Sequence, residues 1–339
     1  MQQIIECVPN VSEGKNLAVI EDIQKVIMLI HGVKLLHTDI GNSANRTVFT
    51  FAGEPKMVIE AAFQLIKKAS ELIDMSKHAG IHPRIGAVDV CPIVPIQNIS
   101  MDEVIGLSRN LSQRVGEELN IPVYCYEESA LSEARRRLEN IRREEYEGLY
   151  TKMQLPEWIP DYGPKVFNPK FGAIVIGARN ILLAYNINLG TNDINIAKQI
   201  AEQIRESGKK TQGRDGLAKK TFPTTLNYVK AIGWYVKDYG FTQVSTNITD
   251  FNKVPIYMVF ETVKKLAKEL NVKVNGSELI GLIPLNALKA AGEFYNSKVE
   301  ILSDRELINF AIEALELSKM DAFDPSERVI EYLLGINLG

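Results

Sequence analysis

Short apolar runs alternate with amphipathic stretches along the first 130 residues, and this alternation strongly constrains the fold of the chain. Apolar and β-branched runs closed by breakers indicate strands at residues 4–8, 33–39, 47–51, 87–95 and 122–126. Apolar positions at helical spacing indicate helices at residues 17–29, from Pro55 to a point before Gly80, and at residues 101–119. Strands that alternate with helices predict an α/β domain.

The alternation stops at residues 131–162, where charged residues become dense, and it restarts after Gly172. Glu and Arg at helical spacing in RRRLENIRREEYEGL favour a solvated helix face. Residues 173–177 and 181–188 are then predicted to form a β-hairpin. Further strands are predicted at 229–236 and 242–249, and further helices at 193–206, from Pro255, at 304–317 and at 325–334. A chain of 339 residues accommodates the second, smaller α/β domain that this restart predicts.

Composition narrows the class of protein. A net charge of −3 and a hydrophobic content of 45% are ordinary for a globular protein and give no reason to expect nucleic acid or a membrane as partner. The N-terminus lacks the pattern of a secretory signal, and no apolar stretch approaches membrane-spanning length. Cys7, Cys91 and Cys125 are widely spaced, which argues against a disulfide framework and a thiolate zinc site. We therefore expect a soluble cytoplasmic protein.

Residues 75–95, MSKHAGIHPRIGAVDVCPIVP, hold two of the four histidines. His78 and His82 lie four residues apart, but Pro83 disfavours a helical conformation at His82, so a helical zinc pair is disfavoured and no metal is expected. His78 is interpreted as a cap of the preceding helix, where a protonated imidazole favours the helix dipole. His82 lies beyond such a cap in a loop rich in breakers. This position is typical of a proton-transfer group, and His82 is the candidate catalytic residue.

Two other loops attract attention. Residues 39–46, DIGNSANR, place Asp39 and Arg46 at the ends of predicted strands, where sites on α/β sheets form. A plain turn explains the Gly, Asn and Ser of this loop equally well. Residues 208–223 are polar, basic and glycine-containing, which is typical of a mobile loop.

Five blocks, in this order, resemble the formiminotransferase domain family: ECVPNVSEG, NRTVFTFAG, LIDMSKHAGIHPRIGAVDVCP, FGAIVIGARN followed by LAYNINLG, and QVSTNITDF. The resemblance covers nearly the whole chain. It implies two α/β subdomains, residues 1–180 and 181–339, each a mixed sheet covered by helices, with a substrate cleft between them. It also implies transfer of the formimino group of N-formimino-L-glutamate to N5 of tetrahydrofolate, a co-substrate, in histidine degradation. Because members of the family form dimers, a homodimer is expected.

The resemblance also assigns roles to individual residues. His82, in HPRIG, matches the catalytic histidine of the family. The segment GPKVFNPKFG matches its folate site through Gly163, Pro164, Phe167, Pro169, Phe171 and Gly172. Beside the histidine, Ala79 and Ile81 replace a cation and an acid of the family pattern. Loss of an acid predicts that His82 is less basic here than in relatives.

The expected chemistry then gives roles to charged residues. Attack of N5 on the amidine carbon gives a tetrahedral carbon with three nitrogens, and His82 is expected to move the proton between them. Asp39 is the first candidate for holding the amidine cation or orienting the imidazole. Arg46 and Arg84 are candidates for binding the carboxylates of the donor. Two alternatives stay open: formyl transfer from formylglutamate on the same scaffold, and folate binding without catalysis.

Overall fold

The computed structural model describes residues 2–42, 44–80, 82–208, 210–212, 218–220, 226–237, 239–296 and 302–336. The chain divides into two compact units, Met1–Asn180 and Ile181–Gly339. Both units combine strands with helices, which confirms the predicted α/β class. Within the described ranges, every helix is too short or too polar to cross a lipid bilayer.

The first unit is built on a seven-stranded mixed sheet. Its strands are β1 (Ile4–Cys7), β2 (Asn10–Val11), β3 (Val33–Gly41), β4 (Arg46–Gly53), β5 (Val88–Gln97), β6 (Val123–Cys125) and β7 (Ile174–Ala178). Its helices are α1 (Leu17–Met28), α2 (Pro55–Leu72), α3 (Met101–Glu118), α4 (Glu133–Arg136), α5 (Leu138–Arg142) and α6 (Glu145–Lys152). The strand order is β1-β4-β2-β5-β7-β6, with β3 beside β4. The pairs β5–β7 and β6–β7 are parallel, and the other pairs of this sheet are antiparallel.

Local sequence signals explain the long elements of this unit. α2 begins at Pro55, whose fixed φ suits the first helical position. α3 begins with a capping box in which Ser100 and Glu103 satisfy each other's backbone N–H groups. The first seven residues of β5 are all buried, so the strand reads as a nearly continuous apolar run. The buried faces of these elements meet in one core around Phe49, Phe51 and other apolar residues.

The prediction of one solvated helix face for the charge run at residues 135–149 holds only in part. Six of its charged residues are exposed, but they do not lie on one continuous helix: Arg136, Arg137, Glu139, Arg143, Glu144 and Glu147. The segment breaks into α4, α5 and α6, and several of its charged side chains point inward. Arg135 is buried and pairs with the carboxylate of Asp161, whose side chain is 5% exposed. Lys152 is buried too, and its Nζ donates to the carbonyl oxygens of Asn140, Ile141 and Arg143 at 2.7, 2.8 and 3.1 Å. These bonds fix the turn between α5 and α6.

The second unit carries a four-stranded sheet of order β11-β12-β8-β13. Its strands, with a separate pair β9–β10, are β8 (Leu183–Leu189), β9 (Lys210–Gln212), β10 (Ala218–Lys220), β11 (Val229–Val236), β12 (Phe241–Ile248) and β13 (Val274–Ile280). Its helices are α7 (Ile194–Ile204), α8 (Ile256–Glu269), α9 (Leu285–Tyr295), α10 (Asp304–Ala314), α11 (Pro325–Arg328) and α12 (Ile330–Leu334). Apolar side chains of β8 and the helices form the core of this unit.

Three expectations for the second half need correction or restriction. The pairings of the four-stranded sheet are all antiparallel, so this sheet is not the expected mixed sheet. The predicted hairpin is wrong, because β7 pairs within the first sheet and β8 within the second. Of residues 208–223, the structure shows the antiparallel pair β9–β10, and the mobile loop predicted for the rest lies outside the described residues.

Candidate active site around His82

Both ring nitrogens of His82 are engaged. Nδ1 lies 2.8 Å from the carbonyl oxygen of Pro83, and because a carbonyl can only accept, Nδ1 carries the proton. Nη1 of Arg46, the first residue of β4, lies 2.6 Å from Nε2 and 3.2 Å from Nδ1. The guanidinium always donates, so it faces the lone pair of Nε2. His82 is therefore a neutral imidazole whose basic nitrogen is covered by Arg46.

The electrostatic surroundings favour this neutral ring. Burial, followed by the charges of Arg46 and Arg142, lowers the pKa of His82 to about 4. The Pro83 hydrogen bond and the charge of Asp89 oppose that shift. The sequence predicted low basicity from the acid replaced by Ile81, a residue outside the described ranges. The physical causes seen here are burial and two arginines.

Arg46 lies in the same crowded field. Burial, followed by the charge of Arg142, lowers the pKa of its guanidinium to about 10. Asp89 and Asp39 act in the opposite direction. Two guanidiniums thus act on each other and on one histidine.

Asp89 is the buried carboxylate of this cluster. It belongs to β5, is only 1% exposed, and accepts the backbone N–H of Ile85 at 3.0 Å through Oδ1. Its Oδ2 pairs with Nη2 of Arg142, the last residue of α5. Nε of Arg142 is buried, and within the described part of the chain it has no hydrogen-bond partner. Asp89 and Arg142 together connect the broken charged segment to the surroundings of His82.

Sequence reasoning gave no role to Asp89 and counted Arg142 with a solvated helix face. One signal was present: Asp89 is a lone carboxylate inside a predicted buried strand, and such a group needs a partner. The sequence does not show which of the many arginines supplies it.

His78 does not cap the long helix, so that interpretation was wrong. α2 already ends at Leu72, and the backbone N–H of His78 closes only the single 3₁₀ turn Met75–Lys77. The imidazole instead lies 3.0 Å from the carbonyl oxygen of Asn45 through Nε2, and its Nδ1 accepts from Nε of Arg84 at 3.3 Å. Through Arg84, His78 therefore connects the HPR loop (His82, Pro83 and Arg84) to the segment before β4.

Arg84 is 5% exposed and is held by carboxylates of the protein itself. Its Nη1 donates to Glu145 at 3.0 Å and to Glu147 at 2.8 Å, and its Nη2 donates to Glu147 at 2.6 Å. These contacts count against the predicted binding of a donor carboxylate by Arg84, because its charge and most of its N–H groups are already used. A pocket of about 450 Å³ lies along this cluster, lined by His78, Ala79, Gly80, Arg84, Glu144, Glu145 and Glu147.

Asp39 is half-buried in β3, where it is paired with Val48 of β4. None of the hydrogen bonds among the described residues joins it to His82, whose ring is oriented by the Pro83 carbonyl instead. The charge of Asp39 acts on Arg46. Its predicted role in holding an amidine cation stays a prediction.

Three of the six residues matched to a folate site have structural reasons for their identity. Gly163 and Gly172 have φ values of +77° and +79°, and a Cβ there would lie 2.2 Å from the oxygen of Ile121 and 2.1 Å from that of Ile85, respectively. Phe171 is buried in the core of the first unit. Side-chain contact of Phe171 with a ligand would require that core to open.

The middle of this segment is more accessible. Pro164 and Phe167 are half-buried, and Pro169 is exposed. The Phe167 ring packs against Tyr146 and Tyr150, with centroids 5.5 and 6.1 Å apart. The hydroxyl of Tyr146 donates to the carbonyl oxygen of Pro169 at 2.6 Å. The backbone N–H of Tyr146 donates to the carbonyl oxygen of Arg84 at 2.8 Å. The segment is thereby tied to the HPR loop.

Within the described ranges, no three His, Cys, Asp or Glu side chains are grouped so that they could hold a metal ion. The acid–base groups of the site are those around His82. Fold and site define a two-unit α/β protein with a neutral, half-buried histidine that is in contact with the guanidinium of Arg46 and is influenced by the charge of Arg142.

Comparison with known families assigns the class. Residues 4–179 match the family model described as the formiminotransferase domain, N-terminal subdomain, and residues 184–335 match the formiminotransferase domain. The chain belongs to the formiminotransferase family.

The relatives that match this chain include a longer protein and proteins of similar length. Formimidoyltransferase-cyclodeaminase of Mus musculus is 45% identical over 336 residues, which are 98% of this chain and 60% of that protein. The chain therefore spans about 60% of the length of this longer relative. Glutamate formimidoyltransferase of Streptococcus pyogenes is 43% identical over 87% of this chain and 94% of its own length. The protein of the same name from Thermoplasma acidophilum is 40% identical over 86% of this chain and 92% of its own length.

Proposed function

We propose that this chain is a glutamate formimidoyltransferase, which transfers the formimino group of N-formimino-L-glutamate to N5 of tetrahydrofolate in histidine degradation. The observation that carries the proposal is the neutral His82, with a lone pair on Nε2 and the guanidinium of Arg46 at 2.6 Å. The names of two relatives, from Streptococcus pyogenes and Thermoplasma acidophilum, support the reaction.

His82 moves one proton in this reaction. N5 of tetrahydrofolate attacks the amidine carbon, and the new C–N bond leaves N5 with an extra proton. Nε2 of His82 accepts that proton and then donates it to the nitrogen of the glutamate moiety. The bond between that nitrogen and the carbon breaks, so glutamate leaves as an amine and 5-formiminotetrahydrofolate remains. His82 returns to its neutral form.

Arg46 controls when Nε2 becomes available. In the observed arrangement the guanidinium covers the nitrogen that must accept the proton. A carboxylate of the donor is a better partner for a guanidinium than a neutral imidazole, because the ionic hydrogen bond is stronger and can be bidentate. Donor binding to Arg46 therefore uncovers Nε2 and neutralises the charge that makes His82 a weak base. The donor thus prepares its own proton acceptor.

Asp39 and the folate segment complete the proposal. Asp39 acts on Arg46 and holds the cationic amidine near His82. Tetrahydrofolate lies along the accessible part of residues 163–172, where Phe167 and its tyrosine neighbours offer aromatic faces to the planar rings of folate.

We also propose that the protein acts as a cytoplasmic homodimer and needs no metal, nucleic acid or membrane. Three buried free cysteines are consistent with a reducing compartment. Light scattering of the purified protein, with an expected mass of two chains, tests the dimer.

A direct assay tests the reaction. The purified chain is mixed with N-formimino-L-glutamate and tetrahydrofolate, and the folate product is followed by absorbance after acid cyclisation. N-Formyl-L-glutamate is assayed in parallel as the rival donor. We expect kcat/KM to be at least about 100-fold higher for the formimino donor, because the formyl transition state places negative charge on oxygen and needs a donor group aimed there. Absence of turnover with the formimino donor would refute the proposal.

A further inference from the structure

Arg142 is held by a buried carboxylate. Its Nη2 pairs with Asp89, which is 1% exposed and also fixed by the backbone N–H of Ile85. The Arg142 side chain keeps 17% of its surface accessible, and its Nε is buried without a hydrogen-bond partner among the described residues. A guanidinium has five N–H groups, so the bond to Asp89 leaves this one with donors to spare. Among the described residues, the guanidinium of Arg142 is therefore held through Nη2 by Asp89.

Several charged residues lie close together around His82. β2 lies between β4 and β5, and its Val11 is opposite Thr47 of β4 and Val88 of β5. Arg46 and Asp89, the neighbours of those two residues, therefore lie at the same end of the sheet, and Asp89 holds Arg142 there.

Arg46, Arg142 and Asp89 all act on the His82 ring by their charge. Two of them are cations and one is an anion. Asp39 is a further anion, which acts on Arg46. Arg46 and Arg142 nevertheless repel each other, and like charges repel more strongly in a partly buried region than in water, so an anion that pairs with either guanidinium relieves this repulsion.

The proposed donor has two anionic groups that can pair with guanidiniums. N-Formimino-L-glutamate carries two carboxylates, one on the α-carbon and one on the side chain. Arg46 can satisfy one of them. The sequence offered Arg84 for the other, but Glu145 and Glu147 already occupy that guanidinium. Among the described residues, Arg142 is paired with one carboxylate, that of Asp89, whereas Arg84 is paired with two.

We propose that Arg142 is the second anion-binding residue of this site: anchored by Asp89, it binds one carboxylate of the dicarboxylate donor while Arg46 binds the other. The assignment rests on the proposed function for the identity of the donor. It makes the distance between two guanidiniums a determinant of specificity, since a donor with one carboxylate leaves one cation without a partner. It also gives the broken charged segment a function, because the Lys152 bonds that fix the α5–α6 turn fix Arg142 as well.

The test pairs protein variants with altered donors. Arg142→Gln is compared with Arg142→Lys and with the matched control Arg136→Gln. This control removes an exposed guanidinium of the same segment, whose ion pair among the described residues is with Glu128. The donors are N-formimino-L-glutamate and its two monoamides, each lacking one carboxylate. For Arg142→Gln we expect KM for the dicarboxylate to rise about 10- to 100-fold, the range for one hydrogen-bonded charge. KM for tetrahydrofolate should change less than about twofold, and Arg142→Lys should fall between the wild type and Arg142→Gln.

The monoamides distinguish binding from a structural role. With the monoamide that lacks the carboxylate bound by Arg142, Arg142→Gln should no longer raise KM. With the other monoamide the penalty should persist. The acid limb of the pH profile of kcat/KM should also move to higher pH in Arg142→Gln, because a charge that lowers the pKa of His82 has been removed. An equal penalty with all three donors, or no difference from Arg136→Gln, would overturn the assignment.

A binding measurement separates this inference from the reaction itself. Calorimetric titration with L-glutamate, the dicarboxylate product, needs no turnover. We expect Arg142→Gln to weaken glutamate binding about 10-fold or more relative to Arg136→Gln. Such a loss would uphold the anion site even if the wild type failed to transfer a formimino group. Binding of inorganic phosphate as tight as that of glutamate, and equally sensitive to Arg142→Gln, would instead show a general anion site and overturn the dicarboxylate assignment.

Discussion

The two units bury polar groups in different ways. In the first unit, the polar residues near His82 are charged: Arg46, Arg142 and Asp89. In the second unit, one face of the four-stranded sheet buries the neutral amides of Asn186, Asn188 and Gln243. Nε2 of Gln243 donates to Oδ1 of Asn188 at 2.6 Å and to the carboxylate of Glu278 at 3.2 Å.

The geometry of the sheet explains the positions of these amides. Asn186 and Asn188 alternate with core residues along β8, so they lie on the face opposite the apolar core, and Gln243 is the cross-strand partner of Asn188. Amides cost less to bury than charges. The charges of the first unit have no such simple explanation, since two cations and one anion act on a histidine. This contrast supports the proposal that the first unit binds the anionic donor.

The largest effect is expected when His82 is removed from the charged cluster of the first unit. His82→Ala should lower kcat by about 1,000-fold, within the usual range for a general acid–base group. His31→Ala, at an exposed position, is the matched control and should retain wild-type kcat. Steady-state rates with both substrates saturating provide the measurement. A His82→Ala enzyme with near-normal kcat would move proton transfer to another residue.

Lys152→Met tests whether the hydrogen bonds of the buried Lys152 stabilise the charged segment. Three carbonyl oxygens lose their ammonium donor, and we expect the free energy of unfolding to fall by about 3 kcal/mol. Urea denaturation followed by circular dichroism measures this change. Lys170→Met, which removes one exposed bond to the carbonyl of Glu71, is the control. Equal stability of the two variants would contradict an internal role for Lys152.

Arg46→Met tests the gate on His82. We expect KM for the formimino donor to rise about 50-fold, because one ionic hydrogen bond to a carboxylate is lost. The acid limb of kcat/KM should also move upward from about pH 4. The charge of Arg46 lowers the pKa of His82, so its removal raises that pKa and the neutral base is lost at a higher pH. An unchanged limb would show that Arg46 does not control the basicity of His82.

Gln243→Ala tests the other side of the comparison. We expect the free energy of unfolding to fall by about 1 to 2 kcal/mol, the cost of leaving a buried amide without its partner. The acid limb of the pH profile should stay in place, since Gln243 is neutral. A shift of that limb by half a pH unit or more would remove the contrast between the two units.

Local patterns predicted the elements well, and the pairing between them less well. Pro55 located the start of α2, and apolar residues at helical spacing located α3. The hairpin prediction failed because adjacency in sequence does not show that β7 and β8 belong to different sheets. The charged segment was misread for a related reason. Arg135 and Arg142 look like surface residues until Asp161 and Asp89, which lie far from them in sequence, are seen to be buried beside them.

The site shows the same limit. His82, Arg46 and Asp39 were selected from the sequence, and they belong to one cluster, in which the charge of Arg46 acts on His82 and the charge of Asp39 acts on Arg46. The occupied state of Arg84 and the role of Arg142 depend on contacts across 53 to 63 residues, which no local pattern records.

The central claim is that donor binding draws Arg46 away from His82 and makes the imidazole a stronger base. ¹⁵N NMR of the histidine side chains tests it directly, because the chain has only four histidines and His82→Gln assigns the signal. In the ligand-free protein, His82 should be neutral with the proton on Nδ1 and titrate near pH 4. With saturating L-glutamate, its pKa should rise by one unit or more. An unchanged pKa, or a proton found on Nε2 in the free protein, would contradict the account.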